Sequence, residues 1–445
     1  MRILFVTPQP PDPIGGGAAI RNWHLIHAAQ QAGHRVEVVT LHDHDREHDH
    51  DHNRAETAAI PHVPLTILPF ARRDHWERLR DLFRVAPDLA WRLGGGSHAV
   101  SIALQLYHAS QSNDPFDLIQ VEGLEMWSSL PTADLDHLDT VARRTHGDNV
   151  MLRPSDMMLA SPSLPPVIYD AHNAETTLQK RTAVNALRTR HVIGALYSAM
   201  QWAKLRRYER DVVRTATATL ALSPNDARAL QTLSGLAQAV DVVPVGVDTT
   251  YFSPDAPGLP PPIPCDVVFS GTLDYRPNAD AVRWLVREIW PLVRAVHPAA
   301  TLALVGRNPL PELRAYAGQN GITVTGAVPD DRPYMTGAAV YVLPMRFGAG
   351  VRLKLLNAMS MGCVVVATPA AVDGITVQNG RDLLLAPADA RGFAASIAAV
   401  LNAPAIRTRY GAAARRLMVA RHDWSCVTPA LLAVYDRIER DHARV

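Results

Sequence analysis

RFGAGVRLKLLNAMSMGCVVVATP, residues 346–369, joins a glycine-rich loop to a helix-like run and then to an apolar strand that stops at a proline. Loop, helix and buried strand in immediate succession form the repeating unit of a parallel sheet, whose strands need crossover connections. A helix that opens on glycines also leaves its first backbone N–H groups unpaired, and its dipole favours an anion there. A helix beginning near Val351 would place Gly350, Lys354 and Asn357 on one face and Leu355, Leu356 and Met359 on another. The first face can meet a ligand while the second buries. At about 100° per residue Arg352 points roughly 200° from Lys354, which makes Lys354 the better phosphate contact. Taken alone, the segment reads equally well as an ordinary amphipathic helix after a turn.

Outward from this block the same alternation runs through the chain. ILFVT, VEVVTL, LTILPF, DLIQVEG, VIYDAH and TLALS are strand candidates in the first half, and DVVFSG, TLALVG, ITVTGAV, AVYVLP, CVVVAT and DLLLA in the second. Amphipathic stretches lie between them, notably 18–32, with Gly33 as a C-terminal cap, and 175–214. The proline-rich run SPDAPGLPPPIP, 253–264, reads as a linker. The expected class is therefore α/β, two doubly wound Rossmann-like domains with ligands at the C-terminal ends of the strands, in a cleft between the domains.

Composition narrows the function. The chain has 445 residues, 47% hydrophobic, and a formal net charge of +1, which suits two or three globular domains and gives no support to a nucleic-acid partner. Its three cysteines, Cys265, Cys363 and Cys426, match neither a zinc spacing nor a disulfide framework, so a reducing cytosol is expected. The apolar start MRILFV is too short for a signal peptide and no segment reads as a membrane span. The expected location is cytoplasmic, with a peripheral place on the inner membrane face as an open alternative.

Three polar motifs fall at strand ends. PQPPDPIGGGAA places Gly15, Gly16 and Gly17 at the start of the first helix, where backbone can approach a phosphate or sugar, although the spacing is not a dinucleotide fingerprint. In YDAHNAE, strand alternation puts Asp170 and His172 on one side, and Asn173 is a good N-cap. In SGTLDYRPNADA, Gly271, Arg276 and Asn278 lie in the loop; Asn278 reads as an N-cap and Arg276 as a diphosphate contact.

Together these residues resemble a family. VPVGVDTTYFSP, FSGTLDYRPNADAVRWLVREIWP, LVGRNP, VTGAVPD and the GAGVRLKLLNAMSMGCVVVATPAAVDGI block, in this order, look like the C-terminal domain of family 4 glycosyltransferases. The GGG loop, AGHRVEVVT and DAHNAE match the N-terminal part of that family. Its members are retaining enzymes of the two-Rossmann-domain GT-B type, and the chain is similar to bacterial members that build exopolysaccharide, glycolipid or other envelope glycans. The resemblance implies an acceptor-side domain over 1–245, a nucleotide-sugar domain over 246–423, and a C-terminal helix, 424–445, that packs back on the first domain.

The implied reaction transfers a sugar from a nucleoside-diphosphate donor to a hydroxyl of a glycan or lipid-linked acceptor, without cofactor or required metal. By this analogy Lys354, helped by Arg276 and Arg352, holds the leaving diphosphate. The loop at Gly348, Ala349 and Gly350 faces the donor, with Gly16, Gly17, Gly271, Asn278 and Asn357 completing its site, and His172 contacts the donor sugar or the leaving oxygen. Three positions depart from the family pattern. Ala349 and Asn357 stand where two glutamates are usual, and Val245 replaces the asparagine before GVD. Asn357 is the consequential one, since hydrogen bonds to charged groups are worth about 1.5–3 kcal/mol against about 1 for neutral ones, so donor binding roughly tenfold weaker is expected. A non-catalytic nucleotide-sugar-binding relative and a GT-B nucleotide-sugar epimerase are the alternative readings.

Other features carry less. HDHDREHDHDH, 42–52, reads as a solvated loop with adventitious metal affinity. The basic aromatic run 201–214 reads as a surface helix or as a contact with an anionic membrane. Residues 131–166 read as an inserted loop that shapes the acceptor side.

Overall fold

A computed structural model describes residues 1–43, 60–70, 87, 89, 114–130, 165–188, 192–237, 239–347 and 350–442. The chain forms two compact units, Met1–Val243 with Thr428–Val445, and Pro244–Val427. Each holds one parallel sheet.

In the first unit the strands are β1 (Arg2–Thr7), β2 (Arg35–Asp43), β3 (Leu65–Phe70), β4 (Leu118–Glu122), β5 (Val167–Ala171), β6 (Ala218–Ala221) and β7 (Asp241–Val242), in the spatial order β3-β2-β1-β4-β5-β6-β7. In the second they are β8 (Cys265–Ser270), β9 (Leu302–Val305), β10 (Ile322–Val324), β11 (Ala338–Leu343), β12 (Val365–Ala367) and β13 (Leu384–Leu385), ordered β10-β9-β8-β11-β12-β13. Both are doubly wound. The chain lays strands outward from the first, then returns to its other side, leaving a crevice beyond the strand ends between β1 and β4 and between β8 and β11.

The strands read as continuous apolar runs because both faces are covered. Every residue of β4, β5, β6 and β9 is buried. Leu205, Val212 and Val213 from the Val192–Thr215 helix and Leu230 from the Pro224–Ser234 helix join Leu4, Val6, Val121 and Tyr169 in one core cluster. The Pro224–Ser234 helix shows how local sequence sets such elements: Ser223 accepts from Asp226 N at 3.1 Å, Pro224 opens the helix, and Gly235 closes it at φ 67°.

Two elements differ from expectation. The stretch 175–214 contains two helices, Glu175–Arg188 and Val192–Thr215. The proline-rich run 253–264 belongs to the second unit, where Ile263 N donates to Pro333 O at 2.9 Å. Of the expected inserted loop, 131–166, residues 131–164 lie outside the described residues, as do residues 44–52 of the histidine–aspartate tract; His42 and Asp43 end β2.

Candidate functional site

The crevice of the second sheet brings Lys354, from the 346–369 block, to Gly271 and Asn278. The backbone leaves β8 at Ser270 and turns through Gly271, whose φ is 141°. A Cβ at Gly271 would lie 2.5 Å from Lys354 Nζ and 3.2 Å from Asn278 Nδ2, so this glycine makes room for the two side chains. Lys354 Nζ donates to Asn278 Oδ1 at 2.7 Å and lies 4.5 Å from the centre of the Phe269 ring. Asn278 Nδ2 in turn donates to Thr272 O at 2.8 Å. Burial, reinforced by the neighbouring Arg352 charge and opposed by Asp331, brings the Lys354 ammonium down to about 7. An anion entering this crevice would favour the charged form.

The helix carrying Lys354 is Leu353–Ser360, not one starting at Val351. Gly350 has φ 74° and Arg352 is extended at φ −91° and ψ 101°, so the loop runs two residues further before the helix begins. Gly350 therefore lies in the loop, while Lys354 and Asn357 remain on one flank of the helix. Because Arg352 is the N-cap residue, the 200° helical separation from Lys354 does not apply; its Nη1 donates to Gly350 O at 3.3 Å. Arg276 opens the Arg276–Trp284 helix with its guanidinium 5.6 Å from the Phe347 ring centre. Asn278 is not an N-cap. Tyr275 holds that position, and Asn278 sits inside the helix with its amide committed to Lys354 and Thr272. Gly348 and Ala349 lie outside the described residues. Val245 is buried.

A second cluster lies at the strand ends of the first sheet. Gly16 is the N-cap of the Gly17–Gln31 helix, with φ −75° and ψ 167°. His172, just beyond β5, places Nε2 3.1 Å from Glu122 Oε2 at the end of β4. Glu122 is wholly buried and Gln120, two residues earlier on the same strand face, donates to its Oε1 at 2.7 Å. The Gln120 side-chain Oε1 accepts from the Tyr435 hydroxyl, so one hydrogen-bonded chain runs from the Trp424–His442 helix to His172. With its amide nitrogen turned toward Glu122, Asn22 donates to Oε2 at 3.1 Å. Asp170, on the same strand as the approach to His172, is held instead by Arg21 at 2.8 Å.

Burial would lower the His172 pKa, but the hydrogen bond and charge of Glu122 outweigh burial and raise it above the usual histidine value. A Glu122→Gln substitution keeps the shape and removes the charge. The His172 titration, followed by NMR, is expected to move to lower pH; the low-pH stability that this pair contributes, present below about 6.5 and lost as pH rises through the folded value, goes with it. An unchanged titration would show that Glu122 does not set the His172 charge.

Asn173 does not cap the Glu175–Arg188 helix. Glu209, from the Val192–Thr215 helix, accepts from Glu175 N at 2.7 Å and from Thr176 N at 2.9 Å, and Asn173 Nδ2 donates to Glu175 Oε1 at 3.1 Å. Burial, then the charge of Glu125, pushes the Glu175 carboxyl up to about 7. Glu122, Gln120, Tyr435, Glu175 and Arg21 were not singled out in the sequence. One signal was there: Gln120 and Glu122 are the polar residues of an otherwise apolar strand, LIQVE. Among the described residues no group of three or more His, Cys, Asp or Glu side chains is placed to hold a metal ion.

Residues 264–403 match the family of group 1 glycosyl transferases. That segment contains Gly271, Arg276, Asn278, Lys354 and Asn357. The chain is similar to a phosphatidyl-myo-inositol mannosyltransferase of Mycolicibacterium smegmatis, 32% identical over 203 residues, which cover 44% of this chain and 51% of the relative. It spans about half the length of the curated relatives it matches. Among solved structures it is similar to sucrose-phosphate synthase from Thermosynechococcus elongatus, with TM-score 0.65 and 18% identity over 99% of this chain and all of that one. It is also similar to Anabaena Alr3699/HepE, solved with UDP, at TM-score 0.59 and 16% identity over 98% of this chain and all of the other. At these identities the structures establish the fold, two Rossmann-like α/β domains of the GT-B type.

Proposed function

We propose that this protein is a retaining glycosyltransferase that moves a sugar from a nucleoside-diphosphate donor to a hydroxyl of a glycan or lipid-linked acceptor. The observation that carries the reading is Lys354, set beside Gly271 and Asn278 at the crevice of the second sheet, within the segment that matches the group 1 transferases. In the reaction the bond from the anomeric carbon to the diphosphate oxygen breaks, the acceptor oxygen bonds that carbon, and its proton leaves toward the departing diphosphate. The developing charge is stabilised by Lys354, the loop before Leu353 and the helix N-terminus, preorganised groups that need no metal. A role for His172, whose pKa Glu122 raises, at the donor sugar or leaving oxygen is carried over from the family resemblance. Retention of configuration is carried over from the family resemblance. UDP in the Anabaena structure and the phosphatidyl-myo-inositol acceptor in the mycobacterial relative's name support a nucleotide donor and a lipid-linked or glycan acceptor.

The test is a thermal-shift panel of UDP, GDP and ADP with their common sugars. A ligand at 100 times its Kd adds about 2.7 kcal/mol, a shift of several degrees for domains of this size. One base is expected to stabilise the protein. No shift with any of them at millimolar concentration would overturn the donor reading.

Peripheral membrane contact, on the cytoplasmic face, is part of the proposal. Among the described residues no helix is long and apolar enough to cross a membrane. The Val192–Thr215 helix, however, exposes Leu196 (73%), Tyr197 and Met200 near its start, with exposed Arg207 further along. Apolar side chains beside a cation suit a helix lying in an anionic interface. Flotation on phosphatidylglycerol vesicles is expected to fall about tenfold or more in Leu196→Glu/Met200→Glu, since each buried side chain contributes about 1.5–3 kcal/mol. Equal flotation of variant and wild type would remove the helix from the contact.

A further inference from the structure

Within the first unit, the helices that follow β5 and β6 enclose an open cavity of about 710 Å³. This is the size of a site for one or two sugar rings. Its wall begins at Ala174, two residues beyond His172. Lys180, Arg206 and Arg228 bring three cations to it from three different helices, and all three residues are exposed. Arg228 donates to Asn225 Oδ1 at 2.6 Å, which fixes its guanidinium along the rim. Trp202 also lines this region; its indole Nε1 is shielded from solvent and has no hydrogen-bond partner among the described residues. A buried donor without an acceptor costs free energy that a ligand oxygen would recover.

Glu209 is the acidic group of the wall, yet both its oxygens already accept the backbone N–H groups of Glu175 and Thr176. Its single charge leaves the three cations in excess. What remains is a cavity that offers positive charge and N–H donors and asks for an acceptor-rich anion. Arginine forks match carboxylate and phosphate oxygens in pairs.

We propose that this cavity binds an anionic saccharide, a sugar carrying a carboxylate or a phosphate, and that this is the acceptor class of the enzyme. The inference rests on the glycosyltransferase reading for the role of the ligand, while binding itself is measured without turnover. The donor crevice belongs to the second sheet, so nucleotide binding serves as an independent control.

Calorimetric titration of the 445-residue chain with glucuronic acid, glucose 6-phosphate, glucose and inorganic phosphate tests it. The two charged sugars are expected to bind at least tenfold more tightly than glucose and than phosphate alone. Arg206→Ala/Arg228→Ala and, separately, Lys180→Glu are expected to weaken them by tenfold or more and to leave the nucleotide thermal shift unchanged. The Trp202 indole N–H resonance, assigned through Trp202→Phe, is expected to move on binding. Absence of charged-sugar binding while a nucleotide still stabilises the protein overturns this inference alone. Equal affinity for inorganic phosphate and the sugar phosphate, or undiminished binding by the variants, overturns it as well. Loss of the nucleotide shift in wild type would instead strike the donor reading.

Discussion

Lys354→Met is expected to lower sugar transfer by about 10²–10³-fold, the usual effect of removing one preorganised group that stabilises transition-state charge. It is also expected to abolish the nucleotide thermal shift without unfolding the protein. Two features set this size. Lys354 Nζ is already positioned by Asn278 and the Phe269 ring, so its charge costs no reorganisation when a diphosphate arrives. Gly271 leaves the space beside it clear of side chain.

The pH dependence is specific to this environment. Without ligand the Lys354 ammonium titrates at about 7, chiefly through burial and then through Arg352. A diphosphate restores the charge, so binding above pH 7 takes up a proton. Nucleotide affinity is therefore expected to fall by up to tenfold per pH unit above about 7. Calorimetry in buffers of different ionisation enthalpy should read close to one proton taken up at pH 8. In the free protein the sign is opposite in consequence. Between about 7 and the unfolded value near 10.5 the unfolded chain holds a proton that the native state lacks, so this group's contribution to stability rises with pH across that window. Lys354→Met removes that cost, and the ligand-free variant is expected to gain stability below pH 7. Binding with a flat pH profile and no proton uptake would rule Lys354 out as the diphosphate contact.

The second large effect is on folding. Arg21→Met is expected to destabilise the first unit by about 3–5 kcal/mol, the cost of leaving one member of a buried ion pair alone. Arg21 and Asp170 are 1% and 0% exposed, and the guanidinium donates to both carboxylate oxygens, at 3.1 and 2.8 Å through Nη2. Burial pushes the Asp170 carboxyl up, and Arg21 opposes that push. Without the arginine the folded-state value rises further above its unfolded one. The destabilisation then applies above the unfolded carboxylate range near pH 4 and is relieved as pH falls through the folded value. Urea unfolding at pH 8 should show the full loss, and at pH 5 much less. Adding Asp170→Leu should recover most of it, because two apolar groups replace the pair. A loss under 1 kcal/mol at pH 8 would mean that water reaches this pair.

The strands of both sheets were legible because buried parallel strands are continuous apolar runs; β13, also two residues long, lies in the apolar run DLLLA, whereas β7 escaped because one of its two residues is Asp241. The Leu353–Ser360 helix and its apolar face were legible too, but its start was misplaced by two residues. Backbone choice at Gly350 and Arg352 depends on what packs against the loop, which no local pattern records. Asn173 and Asn278 looked like caps for the same reason that most asparagines before helices do. Each was overruled by a distant partner, Glu209 for the first helix and Lys354 for the second.

Periodicity, turn residues and motif order were thus enough to establish two doubly wound sheets and to bring Gly271, Asn278 and Lys354 to attention, since these depend on neighbours along the chain. Charge states were decided elsewhere. Lys354 near 7, Glu175 near 7 and a raised His172 follow from burial and from partners such as Arg352, Glu125 and Glu122. Tyr435 reaches Gln120 across more than 300 residues of sequence. A proton's free energy is set by the dielectric and the charges within a few ångströms, and folding alone determines which residues those are.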